Sequence, residues 1–352
     1  VDRQLQIRLR DALYVAFQNE AAFDQQLLGR LNKTLQELSS RDHTYPVKIL
    51  SVIEAADAEG WIGNLLAAAT ACRPADAVLE RVRSEVSAQL PPPGVDHFEA
   101  CRLSGGHVMI DRHRLRAALR GMVHLTGRRI LVVKGGDHSG KSHSLQLISY
   151  LRLVRGGFTP VIVDLRDFDW KAARGEIIEP RDVADRIVRT MRYDFTLDPA
   201  PRDGQWSRWV QDFCVQFESR AIDDTKQWWI VIDTLDKVLV QQPVLDLIKE
   251  LALRVNRTLT SLRLVLIGYG ETFPGSVQPI VDEEVIHPIG QDELIEFFVL
   301  AFDQLGLAYD LDEVAMMVRR VLDQLDIGQP DYLDRLGALA YAELAKATDG
   351  RS

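Results

Sequence analysis

The chain has 352 residues, of which 46% are hydrophobic and 26% charged, and a formal net charge of −9. That length allows two or three domains with cores of their own, and the acidic balance speaks against nucleic acid as a partner. Cys72, Cys101 and Cys214 make neither a disulfide framework nor a zinc spacing; no apolar run reaches the length of a membrane span, and VDRQLQIRLR lacks a signal-peptide core, so a cytoplasmic location is expected.

Residues 1 to about 90 read as helix throughout. Ile7, Leu9, Leu13, Val15 and Phe17 begin one amphipathic segment, and Phe23, Leu27, Leu28 and Leu31 continue at helical spacing. Tyr45-Pro46 opens a helix with Val47, Leu50, Ile53 and Ala56 inward, closing near Gly60. Trp61, Ile62, Leu65, Leu66 and Ala69 mark another, stopped before Pro74. Four or five short helices of this kind make a small bundle. His43 is expected in a loop and Trp61 in the core. Pro91-Pro92-Pro93-Gly94 then reads as a stiff linker. A helix over His113 to Val123 has Leu115, Ala118, Leu119 and Met122 on its apolar face, so Arg112, Arg114, Arg116 and Arg120 are expected on its solvated side.

The segment Ile130 to Ser142 carries the chemistry. Ile130 to Val133 form a buried strand, and Gly135, Gly136, Asp137, His138, Ser139, Gly140, Lys141 and Ser142 fit G-x-x-x-x-G-K-[ST] without a mismatch. A helix with Leu145, Leu147, Ile148, Leu151 and Leu153 follows. Glycines let successive N–H groups turn inward around phosphate oxygens, and the helix N-terminus adds its positive dipole end. Lys141 is expected at the β- and γ-phosphates, and the Ser142 hydroxyl on Mg²⁺. His143 is counted with the nucleotide-binding residues. The expected cofactors are ATP or ADP with Mg²⁺.

A second strand spans about Pro160 to Arg166, helix follows over Pro180 to Met191, and Trp206, Trp209, Val210, Phe213 and Phe217 mark a further helix with packed tryptophans. Trp228-Trp-Ile-Val-Ile-Asp233 is an apolar strand ending in a carboxylate. About ninety residues after the glycine loop, it completes a Mg-phosphate site with Asp233 on the metal. Asp236 either orients and deprotonates the attacking water or caps the next helix. Leu262 to Ile267 form another strand, ending at Gly268-Tyr269 where a γ-phosphate-sensing polar residue would be useful. Arg254 and Arg257 are open to two roles, arginine fingers or partners of a helix C-terminus. Val285 to Ile289 lead into helices over Glu293 to Leu305, Asp312 to Leu325 and Tyr332 to Ala345.

Two resemblances add to this reading. Leu9, Leu13, Phe17, Leu28, Tyr45, Val47, Ala55, Gly60, Leu65, Leu66, Ala68 and Pro74, across residues 5 to 80, resemble a type 1 effector-associated domain, a death-like helical adaptor of bacterial conflict systems. That resemblance implies recruitment of an effector protein, for example a peptidase, carrying a matching module. Ile110-Asp111-Arg112 is similar in placement to the arm preceding the P-loop in STAND-class ATPases, with Asp111 and His113 departing from its usual Gly-Arg-Glu. His287-Pro288 resembles the proline motif that begins the lid of that class. The class implies adenine contacts from Arg112 and Pro288, slow ATP hydrolysis and nucleotide-dependent homo-oligomers.

The expected organisation is therefore multi-domain. An all-α death-like bundle (1–88) precedes a linker and arm (89–110), an α/β P-loop domain with a mostly parallel sheet (111–286), and a helical lid (287–352). No repeat array or sensor domain is recognised after the lid. The function expected is an ATP-dependent switch that recruits or releases an effector; a conventional working ATPase and a non-hydrolysing ATP-binding scaffold remain alternatives.

Overall fold

The structure is a computed structural model. It describes every residue except 1, 2, 32, 40–42, 59, 60, 90–95, 137, 138, 175, 202–204, 237–239, 326–331 and 350–352. The chain divides into two compact units: residues 1–105 with 149–157, and residues 106–148 with 158–352. The proposed linker Pro91–Gly94 lies outside the described residues. Among the described residues no helix is long and apolar enough to cross a membrane.

The first unit is helical. It comprises α1 (Arg3–Ala16), α2 (Glu20–Ala22), α3 (Leu35–Leu38), α4 (Tyr45–Ala58), α5 (Ile62–Cys72) and α6 (Ala77–Gln89). Between α2 and α3 the helix widens over Phe23–Leu28 and tightens over Gly29–Leu31. Asn19 starts α2 by accepting the Ala22 N–H at 2.9 Å, which satisfies one of the donors a helix start leaves open. The core takes Leu5, Leu9, Leu13 and Phe17 from the start of the chain, Ile49, Val52, Ile53 and Ala56 from α4, Leu65 and Ala69 from α5, and Leu153 from residues 149–157. This corrects the sequence expectation in two places. Ile7, Val15 and Val47 are exposed, because the buried stripe of α1 runs through Leu5, Leu9, Ala12 and Ala16, and that of α4 through Ile49 and Val52. Trp61 is partly buried against this core, with the Lys33 ammonium 5.0 Å from its ring.

The second unit is an α/β domain built on one parallel sheet. Its helices and strands are α7 (His113–Val123), β1 (Ile130–Lys134), α8 (His143–Arg155, divided between the units), β2 (Thr159–Asp164), α9 (Asp169–Ala172), α10 (Pro180–Met191), α11 (Trp206–Ala221), β3 (Trp228–Asp233), α12 (Gln242–Arg257), β4 (Arg263–Ile267) and β5 (Val281–Val285). Three helices close the chain: α13 (Gln291–Leu305), α14 (Leu311–Leu322) and α15 (Tyr332–Asp349). The sheet order is β2-β3-β4-β1-β5, all parallel. β1, β3 and β4 are interior strands and read as apolar runs because helices cover both faces. The core cluster draws on β1 to β4, α10, α11 and α12.

Sequence reading missed β5. Its residues, Val281-Asp-Glu-Glu-Val285, bury only Val281 and Glu284, as suits an edge strand, and three carboxylates in five positions carry no strand signal. Arg116 is a second correction. It is 2% exposed and donates to the carbonyls of Asp111 and Met109 at 3.1 and 3.0 Å, fixing the segment before α7 instead of facing solvent.

Candidate nucleotide site

All parallel strands of a sheet end at one edge, and that edge is where open α/β folds bind ligands. Here the glycine loop leaves β1 at this edge, between β4 and β5. Gly140 takes a left-handed φ of +76°, and a Cβ there would lie 2.6 Å from Leu333 Cδ1 of α15, so both conformation and space require glycine. Asp137 and His138 lie outside the described residues.

Lys141 is held inside its own loop. Its ammonium donates to the carbonyls of Gly135 and Gly136 at 3.0 and 2.6 Å and pairs with Asp236 at 3.0 Å. Asp236 fits there because Gly268, at the end of β4 with φ +81°, has no side chain; a Cβ would lie 2.8 Å from Asp236 Oδ1. Asp236 does not cap the next helix, since α12 begins at Gln242 with Gln241 in the capping position. Tyr269 is fully buried and stacks on Phe273 at 4.9 Å.

Asp233 is 1% exposed. Oδ1 accepts the Thr234 N–H at 2.7 Å, and Oδ2 has no hydrogen-bond partner. Burial holds its carboxyl above the ordinary carboxylate range, against hydrogen bonds from Ser142 and the Thr234 N–H. A buried carboxylate oxygen left open beside a P-loop hydroxyl is a destabilising arrangement for the protein alone. It suits a hard divalent cation, which takes oxygen ligands and completes its shell with water and phosphate. The Ser139 hydroxyl is likewise buried without a hydrogen-bond partner, as a donor awaiting a phosphate oxygen would be.

Sequence reading passed over three residues beside Asp233. Asp164 ends β2 in register with Asp233 at the end of β3. Arg166 grips Asp164 through Nε and Nη2, and Thr234, in a left-handed φ of +68°, donates its hydroxyl to Asp164 at 3.1 Å. The signal was present: Val161-Ile-Val-Asp164 repeats the apolar-run-to-Asp pattern of β3.

On the other side of the loop, Arg112 is 5% exposed and donates to the Ser139 carbonyl at 3.2 Å. Asp111 and Arg112 both adopt positive φ, +58° and +76°, strain that an L-residue accepts only when its surroundings fix it. Burial lowers the Arg112 pKa, against the charges of Glu284 and Asp111, while burial raises that of Glu284, against Arg112. A narrow cleft of about 20 Å³ lies here, lined by Val108, Met109, Ile110, Ile289, Leu333 and Leu336, with Arg112 and His143 at its polar side. His143 Nε2 is 3.0 Å from Asp334 of α15. Pro288 is exposed and does not line the cleft; its neighbour Ile289 does.

Arg254 and Arg257 are far from this edge. α12 leaves β3 at the carboxyl edge and returns to the start of β4, so its last turn sits at the opposite edge of the sheet. Arg254 is also bound to Glu218 and Glu250. Neither is a finger for its own site.

Several solved structures resemble the chain. The structure of Cdc6p from Pyrobaculum aerophilum is 15% identical with a TM-score of 0.39, covering 67% of this chain and 61% of that one. The Walker-type ATPase PABY2304 of Pyrococcus abyssi is 16% identical with a TM-score of 0.34, covering 68% and 73%. The Aeropyrum pernix ORC1 protein, solved in complex with DNA, is 16% identical with a TM-score of 0.38, covering 70% and 62%. The chain thus spans about three fifths of the Cdc6p and ORC1 chains it matches. No curated protein matches it. Residues 2–87 match the family model of effector-associated domain 1, over the same helices that the sequence likened to that domain.

Proposed function

We propose that the chain is an ATP-dependent signalling switch of a bacterial conflict system, in which residues 1–88 recruit an effector protein and residues 111–352 bind and slowly hydrolyse ATP. The observation that carries this reading is the union, in one chain, of an effector-associated domain match with a half-buried Lys141 and Ser142 and a buried Asp233 at one sheet edge. The phosphates would lie along Gly135–Ser142, with Lys141 leaving Asp236 for the β- and γ-oxygens. Mg²⁺ would be held by Ser142 and Asp233 and would neutralise charge building on the phosphates. Asp236, once released by Lys141, is a free carboxylate beside the terminal phosphate, suited to orient water.

The apolar cleft between residues 108–110, Ile289 and α15 suits a purine, but at about 20 Å³ it is too narrow for one. Nucleotide therefore enters by moving Leu333 and Leu336 outward with α15, and a lid whose position follows the nucleotide is what a switch requires. The lid and P-loop boundaries at 287 and 111, and nucleotide-dependent homo-oligomers, belong to this same proposal.

The test is paired. Turnover and particle mass are measured with ATP, ADP and no nucleotide. Slow turnover with nucleotide-dependent assembly supports the switch, and fast turnover by a monomer supports a working ATPase instead. ATP binding without any turnover would leave a scaffold.

A further inference from the structure

We propose that Arg166 is the resident counter-ion of Asp233, and that a divalent cation enters the site by displacing Arg166 from Asp233 while Asp164 keeps hold of it. This rests on the reading of Asp233 as the metal-holding carboxylate.

β2 and β3 end together, which sets Asp164 and Asp233 side by side at the carboxyl edge. Two adjacent carboxylates repel, and a cross-strand pair of like charge destabilises a sheet unless something lies between them. Arg166 supplies that charge. Its Nε reaches both oxygens of Asp164 at 3.0 and 2.9 Å, and its Nη2 reaches Oδ2 at 2.6 Å. The same Nη2 stands 3.8 Å from Asp233 Oδ2.

That last distance decides the role. At 3.8 Å there is no hydrogen bond, so the Oδ2 lone pairs stay open, yet the charge is near enough to offset part of what burial costs that carboxylate. A cation arriving at Oδ2 meets Arg166 as a like charge. Its guanidinium is half exposed and anchored on the far carboxylate, so it can swing from Asp233 without being lost. Thr234 keeps Asp164 in place with its hydroxyl while this happens. Asp164 and Arg166 are thus positioning residues. They act on the metal through Asp233.

The consequence is a coupling with a definite pattern. The readout is the Mg²⁺ concentration that half-saturates the tightening of ADP binding, followed by titration calorimetry on the full chain. Arg166→Gln removes the competitor, so half-saturation falls by about tenfold. Asp164→Asn frees the guanidinium to settle on Asp233, so half-saturation rises by about tenfold. In the double variant Asp164→Asn has no guanidinium to release, so it behaves as Arg166→Gln alone. Simple loss of two charges would instead give additive effects that cancel, and additivity overturns the proposal. A rise in half-saturation for Arg166→Gln overturns it as well. Arg166→Met serves the same arms if Arg166→Gln does not fold. Should the unaltered protein bind ADP with no Mg²⁺ dependence, the metal reading of Asp233 falls first, and this inference with it.

Discussion

At the residue scale, the cations of the site are already spoken for. Lys141 is paired with Asp236 and Arg166 with Asp164, so a nucleotide bound as proposed would have to break one ion pair to gain its phosphate contacts. Lys141→Ala should weaken ATP binding by roughly a hundredfold, since a charge-assisted hydrogen bond is lost and Asp236 is left facing the phosphates. Calorimetry on the folded variant measures this, and unaltered affinity would remove Lys141 from the phosphate site. Asp236→Asn should do the reverse for binding. With the clasp loosened, Lys141 reaches phosphate at lower cost and ATP binds several-fold tighter, while single-turnover hydrolysis slows because the carboxylate is gone. Equal affinity in Asp236→Asn would mean that the Lys141–Asp236 pair does not oppose nucleotide. Asp233→Asn should keep ADP binding and lose its Mg²⁺-dependent part, checked by comparing affinities with magnesium and with EDTA.

At the scale of elements, legibility followed chemistry. The interior strands, the P-loop and Asp233 could be read because a strand covered on both faces must be continuously apolar, and a phosphate cradle admits few sequences. β5 was hidden because an edge strand need satisfy only one neighbour, and its Asp282, Glu283 and Glu284 look like loop. The burial of Arg116 was hidden because a buried arginine needs carbonyl partners from the chain's own turns, which no helical spacing reveals. Arg166 was hidden by register, since nothing in one strand shows which residue lies opposite in the next. In the helical unit the stripe was read through Leu9, Leu13 and Phe17, which are buried, but also through Ile7 and Val15, which are exposed where Leu5 and Ala12 are buried. Among the described residues, the helical core cluster lies within residues 5–86 apart from Leu153, and Phe98, Ala100, Cys101 and Leu103 are buried outside it. A fragment of residues 1–88 should therefore fold alone, with a cooperative thermal melt by circular dichroism. Leu13→Ala in it should cost about 2–5 kcal/mol as a core truncation. A broad, non-cooperative melt would show that Leu153 and its neighbours at 149–157 are required.

At the scale of the whole molecule, the question is whether the helical unit recruits a partner under the control of the proposed ATP site. Deleting it is a poor test, because residues 149–157 belong to the same compact unit, and removal of 1–105 would strip the cover from Leu153 and Val154. A surface charge reversal avoids this. Of the polar residues between the second and third helical segments, Arg41 and Asp42 lie outside the described residues, and Lys33 sits over the Trp61 ring, so changing it disturbs packing. Arg30 is exposed in the middle of the tight turn Gly29–Leu31, and Arg30→Glu should alter the melting temperature little, as surface substitutions normally do. Capture of a protein carrying a matching effector-associated module should drop at least tenfold in Arg30→Glu, while ATP affinity stays at its starting value. Capture should also differ between ATP and ADP in the unaltered chain, because a switch must bind its partner with unequal affinity in its two states. Equal capture in both nucleotides, with Arg30→Glu still defective, would make the module a constant tether and remove the switch. If Arg30→Glu captures the partner as well as the unaltered chain does, that face is not the docking surface, and recruitment must use another part of the helical unit.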